Sequence, residues 1–136
     1  MKTLIAESPN VVVVTDTSTG DSDKSFTVPS GFVWKLNHAC TKLITSADIG
    51  NRVVTVTVTN SAGVEIKHLT AGAAQAASAT VYYCMIQGVY RETTVVNSNL
   101  QFPIPIDCYL LPGDTIRFYD SAAIAATADE IGRAHV

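Results

Sequence analysis

The residues best able to do chemistry in this chain are its histidines and its three cysteines. His38 and Cys40 lie two positions apart in an alternating run, so an extended backbone would put both side chains on one face. Paired C-x-x-C or H-x-x-x-H spacing, which makes a zinc site specific, does not occur around them. We therefore predict that the chain has no metal site and needs no cofactor.

Nucleophilic catalysis would need a thiol close to a histidine, and a Cys/His pair with His38 or His68 is conceivable. Cys40, Cys84 and Cys108 each lie within an apolar or alternating run, where cysteine behaves as a small hydrophobic residue. A reactive thiol instead needs a partly exposed, electropositive setting. An odd number of cysteines also cannot close a disulfide framework within one chain. We predict buried free thiols and a protein that is not an enzyme.

Composition excludes several partners. Of the 136 residues, 47% are hydrophobic and only 15% are charged, against about 25% charged residues in an average soluble domain. A net charge of -3 offers no basic surface for nucleic acid. No run approaches the ~20 apolar residues of a membrane helix, and the opening MKTLIAESPN is interrupted too early for a signal peptide. We expect no nucleic-acid or membrane partner, and synthesis in a cytoplasm.

The elements that must position these residues are strands, because the apolar residues alternate with period two. Residues 32–43, FVWKLNHACTKL, read as one long half-buried strand, and VVTVTVT reads as a strand with valines inward and threonines outward. TIRFYD is a third clear strand, and EIGRAHV is a candidate last strand. The predicted core comprises the inward residues Phe32, Trp34, Leu36, Val54, Val56, Val58, Ile116 and Phe118.

The segments between strands carry turn and edge signals. The NSAG turn forms a hairpin, the small-residue stretch AGAAQAASAT is an irregular connector, and the tail SAAIAATADE is small and flexible in character. Pro103 and Pro105 remove amide donors two residues apart, so their strand belongs at a sheet edge or against a neighbour that needs no hydrogen bonds from it. Eight or nine strands without a long helix predict an all-β fold, an antiparallel β-sandwich of jelly-roll type. It forms a single domain over residues 25–136, preceded by an arm, strand and loop over residues 1–24.

Residues 25–131 resemble a group of small virion proteins of tailed bacteriophages. The resemblance rests on VPSGFVWKLNHACTKLITSADIGNRVVTVTVTNSAGVEI, on the small-residue stretch AGAAQAAS, and on FPIPIDCYLLPGDTIRFYDSAAIAATADEI. In that pattern a P-S-G turn and a strand lead to a G-N-R lead-in, and an L-x-x-G-D-T-I turn follows later. Carried onto this chain, the fold-defining turn positions are Gly50, Asn51, Arg52, Gly113 and Asp114.

The resemblance implies a jelly-roll head decoration, or cement, protein on the exterior of the phage head. It would bind the major capsid protein and stabilise its lattice. It would also self-associate as a trimer or a dimer, the trimer favoured because closed oligomers cover edge strands. The alternative is a tail, neck or fibre-associated module that binds another virion protein or a host glycan. A glycan site would show a concave patch with at least two exposed aromatic side chains.

Overall fold

A computed structural model describes residues 2–8, 11–17, 23–120 and 130–135 of the chain. These residues form twelve strands and no helix, which confirms the all-β prediction. The count exceeds the expected eight or nine, partly because two strands are only two residues long. The strands are β1 (Lys2–Ser8), β2 (Val11–Asp16), β3 (Lys24–Thr27), β4 (Trp34–Lys35), β5 (His38–Ile44), β6 (Val54–Thr59), β7 (Glu65–Thr70), β8 (Thr80–Ile86), β9 (Asn99–Pro103), β10 (Tyr109–Leu110), β11 (Thr115–Asp120) and β12 (Glu130–His135).

The strands form two large sheets and one short ribbon. The first sheet has the order β1-β2-β12-β5-β8-β9, the second has the order β3-β11-β6-β7, and β10 pairs with β4. All pairs are antiparallel except β8 and β9, which are parallel. A parallel pair requires a crossover, and residues 87–98 provide it. The proline-containing strand β9 lies at the sheet edge, as its sequence predicts.

The two large sheets share one hydrophobic core. From the four-stranded sheet, Phe26 and Phe118 meet edge to face with ring centroids 6.2 Å apart. From the six-stranded sheet, Tyr83, Met85 and Phe102 are fully buried in the same core. Six of the eight predicted core residues are buried as well: Leu36, Val54, Val56, Val58, Ile116 and Phe118.

The long strand predicted over residues 32–43 is two strands with a break between them. β4 ends at Lys35, β5 begins at His38, and the amide of Leu36 donates to the Cys108 carbonyl, 2.8 Å away. The break shifts the alternation by one residue, so Leu36 is buried but the buried face of β5 carries Ala39, Thr41 and Leu43. Cys40 therefore lies on the opposite, half-buried face.

The placement of Phe32 in the core is wrong. This side chain is 59% exposed, because it lies before β4, at the end of a turn that begins at Pro29. Gly31 provides the positive φ of that turn, at +84°. Trp34 is half-buried and packs against the core from outside.

The expected exposure of the β6 threonines is also wrong. Thr55 and Thr57 are buried, and Thr59 is half-buried. β6 is an inner strand, and Thr57 pairs with Arg117 of β11 on one side and with His68 of β7 on the other. Long side chains at such neighbouring positions cover a short threonine between them.

The two described strands within residues 1–24, β1 and β2, extend the first sheet of the same chain. β1 and β2 form an antiparallel pair, and β2 pairs with β12, which pairs with β5. β12 is the last strand that the sequence suggests. The connector at residues 71–80 is irregular, as expected. The middle of the polar loop before β3 and the predicted tail at residues 121–129 lie outside the described residues.

Candidate assembly surface

An exposed apolar surface lies around the β4–β10 pair. Tyr109 pairs with Lys35 and Leu110 pairs with Trp34, so the same register continued by one residue sets Leu111 opposite Val33. We call the exposed set the apolar ribbon: Phe32, Val33, Ile106, Tyr109 and Leu111. Each of these side chains is between 50% and 78% exposed. Large exposed apolar patches mark sites of protein–protein interaction, and the apolar ribbon is the candidate for such a site.

The apolar ribbon carries little net charge. The ammonium of Lys35 lies 3.0 Å from the Asp107 carboxylate and 5.7 Å from the centre of the Tyr109 ring. The hydrogen bond to Asp107 raises the pKa of Lys35, so the pair is charged but internally compensated. A neutral apolar surface can be covered by a partner without leaving an unpaired ion in the interface.

Sequence reasoning missed Val33, Ile106 and Leu111, and it placed Phe32 in the core. A signal was present, because Phe32 and Val33 are consecutive and successive side chains on an extended backbone point to opposite faces. Both could not be inward. No comparable signal existed for Ile106 or Leu111, whose exposure depends on where the ribbon lies relative to the sheets.

The G-N-R turn is organised by its arginine. The Arg52 side chain is completely buried, and its guanidinium donates to the carbonyls of Asp48 (2.8 Å) and Gly50 (2.7 Å) and to Ser46 Oγ (3.0 Å). Gly50 has a φ of +147°, while Asn51 is exposed. Arg52 thus holds the turn together and has no exposed surface for a substrate.

A second buried polar residue, which the sequence reading missed, fixes the same end of the molecule. Gln75 exchanges backbone hydrogen bonds with Arg52, and its side-chain amide donates to the carbonyls of Leu43 (2.9 Å) and Ala79 (2.8 Å). Its oxygen accepts from the Tyr83 hydroxyl at 3.0 Å. Burial, and secondarily the charge of Asp120, raise the pKa of Tyr83 and keep that hydroxyl protonated. The available signal was a single large polar residue within an alanine-rich run.

The turn at Gly113 and Asp114 is closely packed against neighbouring segments of the chain. The carboxylate of Asp114 is buried and accepts from the Leu111 amide at 2.8 Å, while the Gly113 amide donates to the Val28 carbonyl at 3.0 Å. Gly113 has a φ of +86°, and a Cβ there would lie 2.9 Å from the Cβ of Ser61 in the β6–β7 turn. Glycine is therefore required on both counts. Asp114 acts as a turn cap.

A cleft of about 280 Å³ lies away from the apolar ribbon and is lined by His68, Leu69, Thr70, Arg91, Phe102 and Pro103. Phe102 is the one aromatic residue among these, and it is buried. The cleft therefore lacks the pair of exposed aromatic side chains that would indicate a glycan site. Instead, His68 Nδ1 forms a hydrogen bond with Oε1 of Glu65 on the same strand, at 2.9 Å.

The structure brings two of the three cysteines together. Cys40 and Cys84 are direct partners on β5 and β8 and are half-buried, whereas Cys108 is buried in the core. Burial raises the pKa of the Cys108 thiol, which disfavours its nucleophilic form. Within the described residues there is no group of three or more His, Cys, Asp or Glu side chains that could hold a metal ion.

Comparisons with known proteins assign no relative. No protein-family model, curated protein or solved structure matches the chain. In the part of the chain that the structure describes, no helix is long and apolar enough to cross a membrane.

Proposed function

We propose that this chain is a structural virion protein of a tailed phage that decorates the outer head surface and stabilises the major capsid lattice. The observation that carries the proposal is the apolar ribbon, an exposed uncharged surface on a body whose two large sheets share one core. The resemblance of residues 25–131 to small virion proteins supplies the kind of partner. The proposed partner is the major capsid protein.

A decoration protein needs no pocket or catalytic group. It needs a rigid body and a contact that is repeated by symmetry, so that many modest affinities combine. The apolar ribbon provides such a contact, and turns packed around Arg52, Gln75 and Gly113 provide the rigidity. The proposed role is structural, with no reaction catalysed.

Self-association, as a trimer, is part of the same proposal. β7 is an edge strand of the four-stranded sheet, and its residues Val64 to Ile66 are exposed. An exposed edge strand is a template for pairing with another copy, and closed rings remove such edges. Light scattering coupled to size exclusion measures the mass directly. A monomer that persists at high concentration would contradict the trimer.

The binding experiment uses expanded, DNA-free heads of the phage that encodes the chain. Purified protein is titrated onto these heads, and bound protein is separated by sedimentation and located by cryo-electron microscopy. We expect saturable binding at symmetric positions on the outer surface. The double variant Phe32→Ser/Leu111→Ser should lose binding at least about tenfold, which corresponds to about 1.4 kcal/mol.

The matched control is Tyr90→Ser/Val96→Ser, which removes two comparably exposed apolar side chains from the crossover between β8 and β9, away from both the ribbon residues and the β7 edge. This control should bind heads at the wild-type level. Wild-type protein that binds tails or cells but not heads would overturn the decoration role and favour the tail or fibre alternative. Binding that survives the ribbon variant would overturn the assigned contact surface.

A further inference from the structure

We propose that Cys40 and Cys84 form a redox-active pair that is converted to a cross-strand disulfide by a small-molecule disulfide. The two sulfur atoms lie 2.9 Å apart, and the two residues are directly opposite each other in the β5–β8 pair. A disulfide requires Cα atoms about 4.4–6.8 Å apart, and directly opposite residues in an antiparallel pair meet this condition. Bond formation therefore needs no strand movement.

The hydrogen-bond pattern of β8 identifies the kind of pair. The Tyr82 amide donates to Ser98, and the Ile86 carbonyl accepts from Ile104, so both residues direct their backbone groups toward the β9 side. Successive residues of a strand alternate in this direction, and Cys84 lies midway between them. The backbone N–H and C=O groups of Cys84 therefore also point toward β9. Its pairing with Cys40 on β5 is consequently of the non-hydrogen-bonded kind. In such pairs the Cα atoms are only about 4.5 Å apart and the side chains are closest.

The electrostatics of the pair favour one thiolate. The hydrogen bond from the Cys40 thiol lowers the pKa of Cys84 to about 7, against the opposing effect of burial. The same hydrogen bond, together with burial, raises the pKa of Cys40. Both side chains lie on the half-buried face of the first sheet, so a small reagent can approach. Cys84 is therefore the attacking sulfur and Cys40 is the resolving one.

The reaction with glutathione disulfide balances in two exchanges. The Cys84 thiolate attacks one sulfur of glutathione disulfide, forms a mixed disulfide and releases one glutathione thiolate. The Cys40 thiol gives its proton to the released thiolate, and its sulfur then attacks the Cys84 sulfur. The second glutathione leaves as a thiolate and takes from water the proton that Cys84 lost on ionisation. Two protein thiols are oxidised to one disulfide, and one glutathione disulfide is reduced to two glutathione thiols.

The test counts free thiols in the full chain. Reduced protein is incubated natively with glutathione disulfide, acid-quenched, denatured, alkylated with N-ethylmaleimide and weighed intact. We expect the wild type, which has three cysteines, to lose two alkylatable thiols and two hydrogens, and dithiothreitol to restore both. Peptide mapping should show a Cys40–Cys84 crosslink.

The matched control is Cys108→Ser, which should retain the crosslink and leave no alkylatable thiol after oxidation. Cys40→Ser and Cys84→Ser should each prevent the crosslink. Three alkylatable thiols in oxidised wild type, a persistent glutathione adduct without the crosslink, a crosslink to Cys108, or a disulfide-linked dimer on a non-reducing gel would each overturn the proposal.

Discussion

The interior of this protein is polar where β6 begins, while the surface is apolar around β4 and β10. Near β6, Arg52, Thr55 and Thr57 are buried. At the apolar ribbon, Phe32 and Leu111 are more than half exposed. In both regions the burial is opposite to what the residue types suggest. The difference shows that neighbouring elements decide burial: β6 is an inner strand covered by long side chains, and the β4–β10 pair belongs to neither large sheet.

The two regions also differ in how their unusual residues are stabilised. The buried polar side chains of Arg52 and Gln75, near the start of β6, have hydrogen bonds that compensate for lost water. The apolar side chains of the ribbon, by contrast, remain at least half exposed to water. We infer that polar residues are inside for stability, whereas apolar residues are outside for binding. Substitutions in the two regions should therefore affect different measurements.

The largest effect is expected for Arg52→Met. This substitution removes the donor to two carbonyls and one hydroxyl in a buried turn, and the loss should lower the free energy of unfolding by about 3 kcal/mol or more. Urea denaturation, extrapolated linearly to water, measures the change. The control is Arg117→Met, because Arg117 is half exposed in its ion pair with Asp23 and should change stability by less than about 1 kcal/mol. Equal effects of the two variants would contradict a structural role for Arg52.

Gln75→Met should have the next largest effect. It leaves the Tyr83 hydroxyl and the Leu43 carbonyl without their partner in the interior, which should cost about 2 kcal/mol of unfolding free energy. Gln101→Met is the matched control, because that side chain is exposed, and its change should stay within about 0.5 kcal/mol. A neutral Gln75→Met would show that its hydrogen bonds do not stabilise the fold.

Two buried threonines are expected to give changes in unfolding free energy of opposite sign. Within the described residues the Thr41 hydroxyl is buried without a hydrogen-bond partner, so Thr41→Val should increase the unfolding free energy by about 1 kcal/mol. Thr45 is the comparison residue, since its hydroxyl donates to the Ala76 carbonyl and accepts from the Ala79 amide. Thr45→Val should decrease stability by about 1 kcal/mol. Thermal and urea unfolding of both variants test the contrast, and changes of the same sign would contradict it.

The smallest effect on stability is expected at the apolar ribbon. Phe32→Ser and Leu111→Ser remove exposed side chains, so the unfolding free energy should change by no more than about 0.5 kcal/mol for each. Urea denaturation again measures the change. A loss of several kcal/mol in either variant would place that side chain in the core and remove the basis of the binding surface.

Period-two alternation was enough to predict the all-β class and the burial of Val54, Val56 and Ile116, and the prolines were enough to favour an edge position for β9. These features depend on local pattern, because a strand inside a sheet must alternate or be covered. The positive-φ glycines Gly50 and Gly113 also lie in turns that the sequence marks.

The failures have non-local causes. The break at Leu36 shifts the phase of β5, and it depends on a hydrogen bond to Cys108, which lies far along the chain. The burial of Thr57 depends on which strands flank β6. Similarly, the Cys40–Cys84 contact follows from the pairing of two strands whose register sequence alone does not specify. An odd cysteine count correctly excludes a complete disulfide framework but does not exclude one reactive pair.

We propose that the apolar ribbon binds the phage head, and the binding isotherm on expanded heads tests this most directly. The isotherm is measured for the wild type, for Phe32→Ser/Leu111→Ser and for the control Tyr90→Ser/Val96→Ser. We expect saturable binding by the wild type and the control, and at least an approximately tenfold weaker affinity for the ribbon variant at unchanged stability. Equal binding by all three proteins, or no binding by the wild type, would contradict it.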